Sequence, residues 1–439
     1  MKPEAHHKET IKILPAKSLK GALSVPGDKS VSHRAVMLGS IADGITEVGG
    51  FLEGEDNLAT VEAFKKMGVA IKKKSNGNIV IHGSGLNGLK ESDDVIDAKN
   101  SGTTTRLLMG LLSGQPFYSV ITGDDSLRRR PMKRVAEPLR KMGAHIDGRA
   151  GGEYLPVSII GGRLQGINYK MPIASAQLKS ALLLAGLYAE GETIIEEPEK
   201  SRDHTERMLK FFGADIETKG NIVRIKKAKS LKGSYIKIPG DISSAAFFMV
   251  AAAITQGSEL TIRGVGVNPT RCGIINILKN MGASIEVVNN DGKDEPSADI
   301  VVKSAKLKGI NIKAKELLPA IDEFPIICVA AAFADGVTEI SGATELRVKE
   351  SDRIKAMAES LGAIGIKTEE KKDGLIIHGV GAGKTAKGGS IDSRGDHRIA
   401  MAMAIAALKT DDGVTIQGSE CVDVSFPGFF VLLDNVAIR

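Results

Sequence analysis

Two kinds of helical stretch alternate along the chain. One is apolar on every side, as in residues 177–188 and 245–254. The other carries its apolar residues on one stripe, as in 57–67 and 351–361. A helix apolar all round belongs in an interior, and an amphipathic one belongs on its surface. Between them come short β-branched runs that each follow a glycine: Gly44-Ile-Thr-Glu-Val, Gly191-Glu-Thr-Ile-Ile, Gly336-Val-Thr-Glu-Ile and Gly413-Val-Thr-Ile. A further signature follows the amphipathic helix: Met67-Gly68-Val69-Ala-Ile71, Met142-Gly143-Ala144-His-Ile146, Phe212-Gly213-Ala214-Asp-Ile216, Met281-Gly282-Ala283-Ser-Ile285 and Leu361-Gly362-Ala363, with glycines 75, 70, 69 and 80 residues apart. A sixth copy, Asp434-Asn435-Val436-Ala-Ile438, has Asn in place of Gly. Gly and Asn tolerate the left-handed turn after a helix, so each copy reads as a helix end leading into a strand.

Each repeat therefore reads helix, strand, helix, strand, strand, and there are six. The sixth stops at its strand and needs completion from elsewhere. The N-terminal region matches: Ala16-Lys-Ser-Leu-Lys-Gly21 reappears as Ala228-Lys-Ser-Leu-Lys-Gly233, and Pro26-Gly27-Asp28 as Pro239-Gly240-Asp241, an offset of 212 to 213 residues. The expected fold is α/β, in two similar three-repeat domains. Residues 1–27 and 241–439 form the first and residues 28–240 the second, with the chain crossing, and potentially hinging, at the two Pro-Gly-Asp sites.

Composition narrows the class. A chain of 439 residues that is 42% hydrophobic and 26% charged is globular. Its apolar stretches fall short of the roughly 20 residues that cross a bilayer. Met1-Lys-Pro-Glu-Ala-His-His-Lys lacks the apolar core of a signal peptide. Three scattered cysteines, Cys272, Cys328 and Cys421, fit a reducing compartment rather than a disulfide framework or zinc cluster. A cytoplasmic protein is expected, with no membrane partner. A net charge of +6, no tryptophan and 4% aromatics argue against nucleic acid and leave anionic metabolites as partners.

The apolar helices begin at Asp28-Lys29-Ser30, Ser101-Gly102-Thr103, Ser175-Ala176-Gln177, Asp241-Ile242-Ser243, Asp322-Glu323 and Asp396-His397-Arg398. Helix starts side by side make an anion site. Ser and Asp there are ordinary caps worth about 1 kcal/mol each, but capping does not account for cations. Lys29 and Arg34 stand where the matching repeat has Ile242 and Phe247, and Arg106 and Arg398 interrupt otherwise apolar helices. Arg128, Arg129, Arg130, Arg202, Lys349 and Arg353 lie near the outer-helix starts, where surface charge is the simpler explanation for any one of them. Together they suit a ligand with several phosphate or carboxylate groups. Gly379-Val-Gly-Ala-Gly383-Lys384-Thr385 is no P-loop, because three residues rather than four separate its outer glycines and His378 occupies the required glycine position.

This constellation resembles the enolpyruvyl transferase family over essentially the whole chain. The resemblance rests on Pro-Gly-Asp28-Lys29-Ser30-Val-Ser-His-Arg34, Asn100-Ser-Gly102-Thr-Thr-Thr-Arg106, Arg130-Pro-Met, Ser175-Ala-Gln177, Arg347-Val-Lys349-Glu350-Ser-Asp-Arg353, Asp396-His-Arg398 and Ser425-Phe-Pro427. It implies an inverse α/β barrel in each domain and a site in the cleft between them. It implies addition and elimination between phosphoenolpyruvate and the 5-hydroxyl of shikimate 3-phosphate, with no metal or organic cofactor. By the same resemblance Asp322 accepts the hydroxyl proton, Glu350 handles the proton at the methylene carbon, and Lys29 contacts both substrates and assists phosphate departure. Lys29, Ser30, Arg34, Ser175, Ala176, Gln177, Arg202, Asp322 and Lys349 would hold shikimate 3-phosphate. Lys29, Gly102, Arg130, Gln177, Arg353 and Arg398 would hold phosphoenolpyruvate.

Three positions depart from the family pattern: Ala176 stands where a second serine is common, Val424 where a lysine precedes the Ser-Phe-Pro segment, and Leu107 where a proline follows the arginine. Val424 puts a cation's role in doubt and, with Leu107, bears on donor affinity and on sensitivity to glyphosate, the donor mimic. Gly102 is retained, and a methyl there would crowd that inhibitor, so sensitivity is expected. The sister activity on UDP-N-acetylglucosamine uses a cysteine in the loop before its Arg-Pro; here Gly123-Asp-Asp-Ser-Leu-Arg-Arg-Arg130-Pro131 has none. A non-catalytic anion binder on the same scaffold would be expected to lack Lys29, Asp322 or Glu350, and all are present. A two-domain hinge needs no partner subunit, so a monomer is the default expectation.

Overall fold

The computed structural model describes residues 9–291 and 295–439. Residues 1–8, read above for a signal peptide, lie outside the described residues. The chain gathers into two compact units. One spans Gly27–Ile238 together with Glu295, and the other joins the residues up to Pro26 to the chain from Pro239 onward apart from Glu295.

The Gly27–Ile238 unit contains three pairs of helices: α1 (Lys29–Ser40) and α2 (Glu55–Lys66), α3 (Gly102–Ser113) and α4 (Lys133–Lys141), α5 (Ala176–Gly186) and α6 (His204–Phe211). The first of each pair is the apolar one. From Val31 to Ser40 every residue of α1 is buried, and the same holds for α5 from Leu178 on. α3 packs along α5. Each pair lies with a four-stranded sheet. In the middle one, Ile96–Asp97, just ahead of α3, runs parallel to Tyr118–Thr122, just behind it; Val157–Ile160 and His145–Gly148 add antiparallel. Asn168–Lys170 and Glu192–Glu196 bracket α5 in the same way.

The other unit holds α7 (Ile242–Ile254) and α8 (Gly273–Asn280), α9 (Phe324–Ala332) and α10 (Arg353–Ala363), α11 (His397–Ala407) and α12 (Phe429–Val436). All of α7 and all of α9 are buried. Phe426, the aromatic of the Ser-Phe-Pro segment, is a core residue, 5.3 Å from the Phe429 ring and 6.0 Å from that of Phe248. The strand ahead of α1, Ser18–Ser24, does not pair with the strand behind α1. It runs parallel to Glu259–Gly266, behind α7, while Tyr235–Lys237, ahead of α7, pairs with Asp43–Gly49, behind α1. The chain thus leaves each unit between a strand and its helix, at Pro26-Gly27 and Ile238-Pro239. The amide of Asp241 donates to the carbonyl of Pro26 at 2.9 Å. A Cβ on Gly27 would lie 1.9 Å from the Gly50 carbonyl oxygen, so no other residue fits there. Thr10–Ile13 completes the sixth repeat by pairing antiparallel with Val414–Gln417.

Two repeat signatures differ from the sequence reading. Gly68, Gly143, Gly213 and Gly282 take the left-handed conformation at their helix ends. In the fifth copy α10 runs on to Ala363, and Gly365 rather than Gly362 makes the turn, with φ +83°. In the sixth, Asn435 stays helical and the chain goes from Val436 straight into the strand Ala437–Ile438, so no left-handed residue is needed.

Candidate active site

In the Gly27–Ile238 unit the starts of α1, α3 and α5 are tied together by side chains. Asp28, Ser101 and Ser175 each cap their helix, accepting from the amides of Val31, Thr104 and Leu178. Lys29 forms an ion pair with Asp56 in the first turn of α2. Arg34 is buried and spans three elements. Its Nε donates to Thr205 Oγ1 at 2.6 Å, Nη1 to the Ser30 carbonyl at 2.9 Å and Nη2 to Ser180 Oγ at 2.9 Å. Burial lowers its guanidinium to about 10, and the charges of Glu206 and Asp28 oppose that fall. It stays cationic at neutral pH. Arg202 lies near enough for its charge to work against that of Arg34.

At the start of α3, Arg106 Nη1 donates to Gln177 Oε1 at 2.8 Å, and Gln177 Nε2 donates to Thr103 Oγ1 at 3.0 Å. Arg130 reaches Asn100 Oδ1 at 2.5 Å and Ser126 Oγ at 3.2 Å. Gly102 sits beneath both arginines: a Cβ there would lie 2.7 Å from Arg106 Nη1 and 3.7 Å from Arg130 Nη1. Leu107 points into the core and is fully buried. Beneath the cations, His33 Nδ1 lies 2.7 Å from Thr60 Oγ1, which lies 2.7 Å from Thr104 Oγ1. Burial pulls His33 down to about 3; Lys29 and Arg34 add to that fall and Asp56 resists it. The imidazole is therefore neutral and adds no charge to the cluster.

The other unit arranges carboxylates around cations. Arg353 opens α10 and is 2% exposed. Its Nε is 2.8 Å from Asp396 Oδ2, its Nη2 is 2.7 Å from Glu350 Oε2, and its Nη1 is 3.7 Å from Asp322 Oδ1. Burial disfavours its charge, but Asp396 and Glu350 outweigh that and hold the guanidinium above its ordinary value. Asp396 is also desolvated, yet Arg353 keeps it below the usual carboxylate range. The Asp322 and Glu350 side chains retain 18% and 28% exposure, so a ligand can reach them. Arg398 Nη1 donates to the Asp322 carbonyl at 2.9 Å. Lys349 follows the short turn Thr344–Val348 and lies 3.8 Å from Glu345.

Asp322 does not open an apolar helix, as the sequence had suggested. It lies within the 3-10 turn Leu318–Glu323, and α9 starts two residues later at Phe324-Pro325. Ala320 breaks the helical geometry, and proline in the first turn fixes the start of α9. The side chain is consequently not used as a cap. Behind it, Arg271 lies 2.8 Å from Ser243 Oγ and 3.3 Å from Asp241 Oδ1, and Ser243 also bonds Glu323.

Sequence reasoning passed over Asp396 as a partner of Arg353, Thr205 and Ser180 as partners of Arg34, and Lys179 altogether. Lys179 is a fully buried cation in the apolar helix α5. The rule that singled out Arg106 and Arg398 applies to it equally.

These features, two stacks of three repeats with helix starts dressed in arginines and carboxylates, define an enolpyruvyl transferase fold. An enolpyruvyl transferase, NikO, from Streptomyces tendae shares it at TM-score 0.78 and 17% identity, over 98% of both chains. The profile of EPSP synthase (3-phosphoshikimate 1-carboxyvinyltransferase) matches residues 13–433. A 3-phosphoshikimate 1-carboxyvinyltransferase of Geobacter metallireducens is 56% identical over 97% of this chain and 99% of its own. One from Geotalea daltonii is 55% identical over 97% and 98%. The EPSP synthase of Acinetobacter baumannii superposes at TM-score 0.89 with 51% identity, covering 98% of this chain and 99% of that one. The chain belongs to the EPSP synthase family.

Proposed function

We propose that the chain transfers the enolpyruvyl group of phosphoenolpyruvate to the 5-hydroxyl of shikimate 3-phosphate, giving 5-enolpyruvylshikimate 3-phosphate and phosphate, a step of aromatic amino-acid biosynthesis. The observation that carries the reading is Arg353, buried yet holding Asp322 and Glu350 at one guanidinium while leaving both reachable. An addition–elimination needs one group to take the hydroxyl proton and another to deliver and recover a proton at the methylene carbon. Asp322 takes the first role and Glu350 the second. Lys29 touches both substrates and stabilises the departing phosphate. Ser30, Arg34, Ser175, Ala176, Gln177, Arg202 and Lys349 hold the acceptor; Gly102, Arg130, Gln177, Arg353 and Arg398 surround the donor. The helix starts and fixed guanidinium groups present positive charge before the substrate arrives, which lowers the reorganisation needed as charge develops.

Closure of the two domains, 1–27 with 241–439 and 28–240, about Pro26-Gly27 and Pro239-Gly240 belongs to the same reading. So does a cytoplasmic monomer that works on these two anions alone. Val424 lies in the 3-10 turn Ser419–Val424 and supplies no charge, so donor binding depends on the arginines. The UDP-N-acetylglucosamine alternative is disfavoured. Cys272, Cys328 and Cys421 all belong to the unit without the Arg130 loop, and burial pushes Cys272 and Cys421 up to about 11. The test is phosphate release from phosphoenolpyruvate with either acceptor. Release with shikimate 3-phosphate alone supports the reading; release with UDP-N-acetylglucosamine, or with neither, ends it.

A further inference from the structure

Lys179 is the least expected residue of the Gly27–Ile238 unit. An ammonium with no solvent exposure sits on α5 among leucines and alanines, 2.7 Å from Glu197 and 2.6 Å from Glu206. Burying a cation between two anions is costly, and an apolar side chain would fill the space without that cost. What the arrangement does is mechanical. Glu197 follows the strand Glu192–Glu196, and Glu206 stands in the first turn of α6. One ammonium therefore clamps both ends of segment 197–206. Inside the segment, Ser201 is held to Glu197 by its hydroxyl and, at 3.3 Å, by its amide.

The clamped segment carries Arg202 and Thr205. Thr205 Oγ1 accepts from Arg34 Nε and lies 2.6 Å from Ser180 Oγ, the acceptor for Arg34 Nη2. Thr205 adjoins Glu206 in sequence, and Ser180 adjoins Lys179. Two of the three contacts that aim Arg34 are thus one residue from a member of the buried triad.

We propose that the Lys179–Glu197–Glu206 triad is a positioning device for the acceptor's phosphate, acting through Arg34 and Arg202 and touching neither substrate. The inference rests on the acceptor reading above. Glu206 also bears on the site: burial raises its carboxyl above the ordinary value against the pull of Lys179, and its charge is the first to oppose the loss of the Arg34 proton.

The test replaces the triad as a unit, Lys179→Met with Glu197→Gln and Glu206→Gln, so that no buried charge is left alone, and sets it beside Lys179→Arg and Thr205→Val. In the triple variant the KM of shikimate 3-phosphate and its Kd without donor are expected to rise about tenfold or more, the loss of one well-aimed guanidinium contact. The KM of phosphoenolpyruvate and kcat should stay within about threefold, and Lys179→Arg should recover part of the acceptor affinity. A folded triple variant with unchanged acceptor KM overturns the proposal, as does an equal rise in both KM values. Should the triple variant fail to fold, Thr205→Val decides: an acceptor KM within twofold of wild type overturns it. Wild-type enzyme inert with shikimate 3-phosphate sinks the acceptor reading instead. Positioning is then read from calorimetric affinity for inorganic phosphate, and equal affinity in wild type and variant overturns it.

Discussion

The two units use the same helix starts for opposite electrostatic ends. In Gly27–Ile238, Arg34, Arg106 and Arg130 donate to neutral oxygens: hydroxyls of Thr205, Ser180 and Ser126, side-chain carbonyls of Gln177 and Asn100, and the backbone carbonyls of Ser30, Pro131 and Asn100. The hydrogen bonds that aim Arg34 all end on neutral oxygens, although Glu206 and Asp28 act on its charge. In the other unit Arg271 and Arg353 are surrounded by Asp241, Glu323, Asp396, Glu350 and Asp322. There the cation organises acids. One architecture yields an anion cradle in one case and a holder for proton-transferring carboxylates in the other. The choice lies with the residues that meet each guanidinium, because the repeat of helices and strands is common to both.

The comparison breaks first at the acids. Glu350→Gln and Asp322→Asn should each cut kcat by about a hundredfold to ten-thousandfold while melting close to wild type, since both side chains are partly exposed. Either variant keeping wild-type turnover would remove that residue from the mechanism. Next in size is stability. Arg353→Met strands Asp396 in the interior and should cost about 3–5 kcal/mol, whereas Arg34→Met leaves mainly hydroxyls and should cost about 1–3 kcal/mol. Denaturant unfolding of the pair tests this, and equal losses would erase the distinction between neutral and charged partners.

A smaller effect concerns His33. Its folded-state value of about 3 lies below the ordinary 6.5, so between those values the unfolded chain takes up a proton that the folded chain refuses. Stability should therefore fall as pH drops from 6.5, by at most about 1.4 kcal/mol per pH unit. The acid-side slope of Tm against pH should be shallower in His33→Gln, and identical slopes would count against a neutral buried imidazole. The smallest change is Gly102→Ala. Its methyl would press on the flexible end of Arg106, so the KM of phosphoenolpyruvate should rise about threefold to tenfold, ~1.4 kcal/mol at most. A larger rise in the acceptor KM would mean that Gly102 faces the wrong substrate.

Much of the architecture was legible because it repeats. A signature recurring about every seventy to eighty residues announces six units, and the duplicated Pro-Gly-Asp marks where the chain changes sides. The exchange of Ser18–Ser24 and Tyr235–Lys237 between repeats depends on pairing partners 239 and 188 residues apart, which no local pattern encodes. In the fifth and sixth signatures periodicity misled, because a helix end is set by where the chain must turn. The turn falls at Gly365 rather than Gly362, and Asn435 stays within its helix. At the site, cations in apolar helices stood out as anomalies. Their partners did not: Thr205, Ser180 and Asp396 are ordinary in sequence and acquire meaning only through the hydrogen bonds they accept.

The exchanged strands also dictate an order of assembly during synthesis. The strand pairings of the Gly27–Ile238 unit all have both partners once Tyr235–Lys237 leaves the ribosome. Ser18–Ser24 emerges earlier but finds its parallel neighbour only when Glu259–Gly266 follows, and its antiparallel one only with Ala437–Ile438. At about 5–20 residues per second Ser18–Ser24 waits for its last neighbour from roughly twenty seconds to more than a minute. The later-made half of the chain therefore folds around an edge left by Ser18–Ser24. A nascent chain stalled near residue 250 would hold one unit with its strands paired and two unclaimed strands, Thr10–Ile13 and Ser18–Ser24.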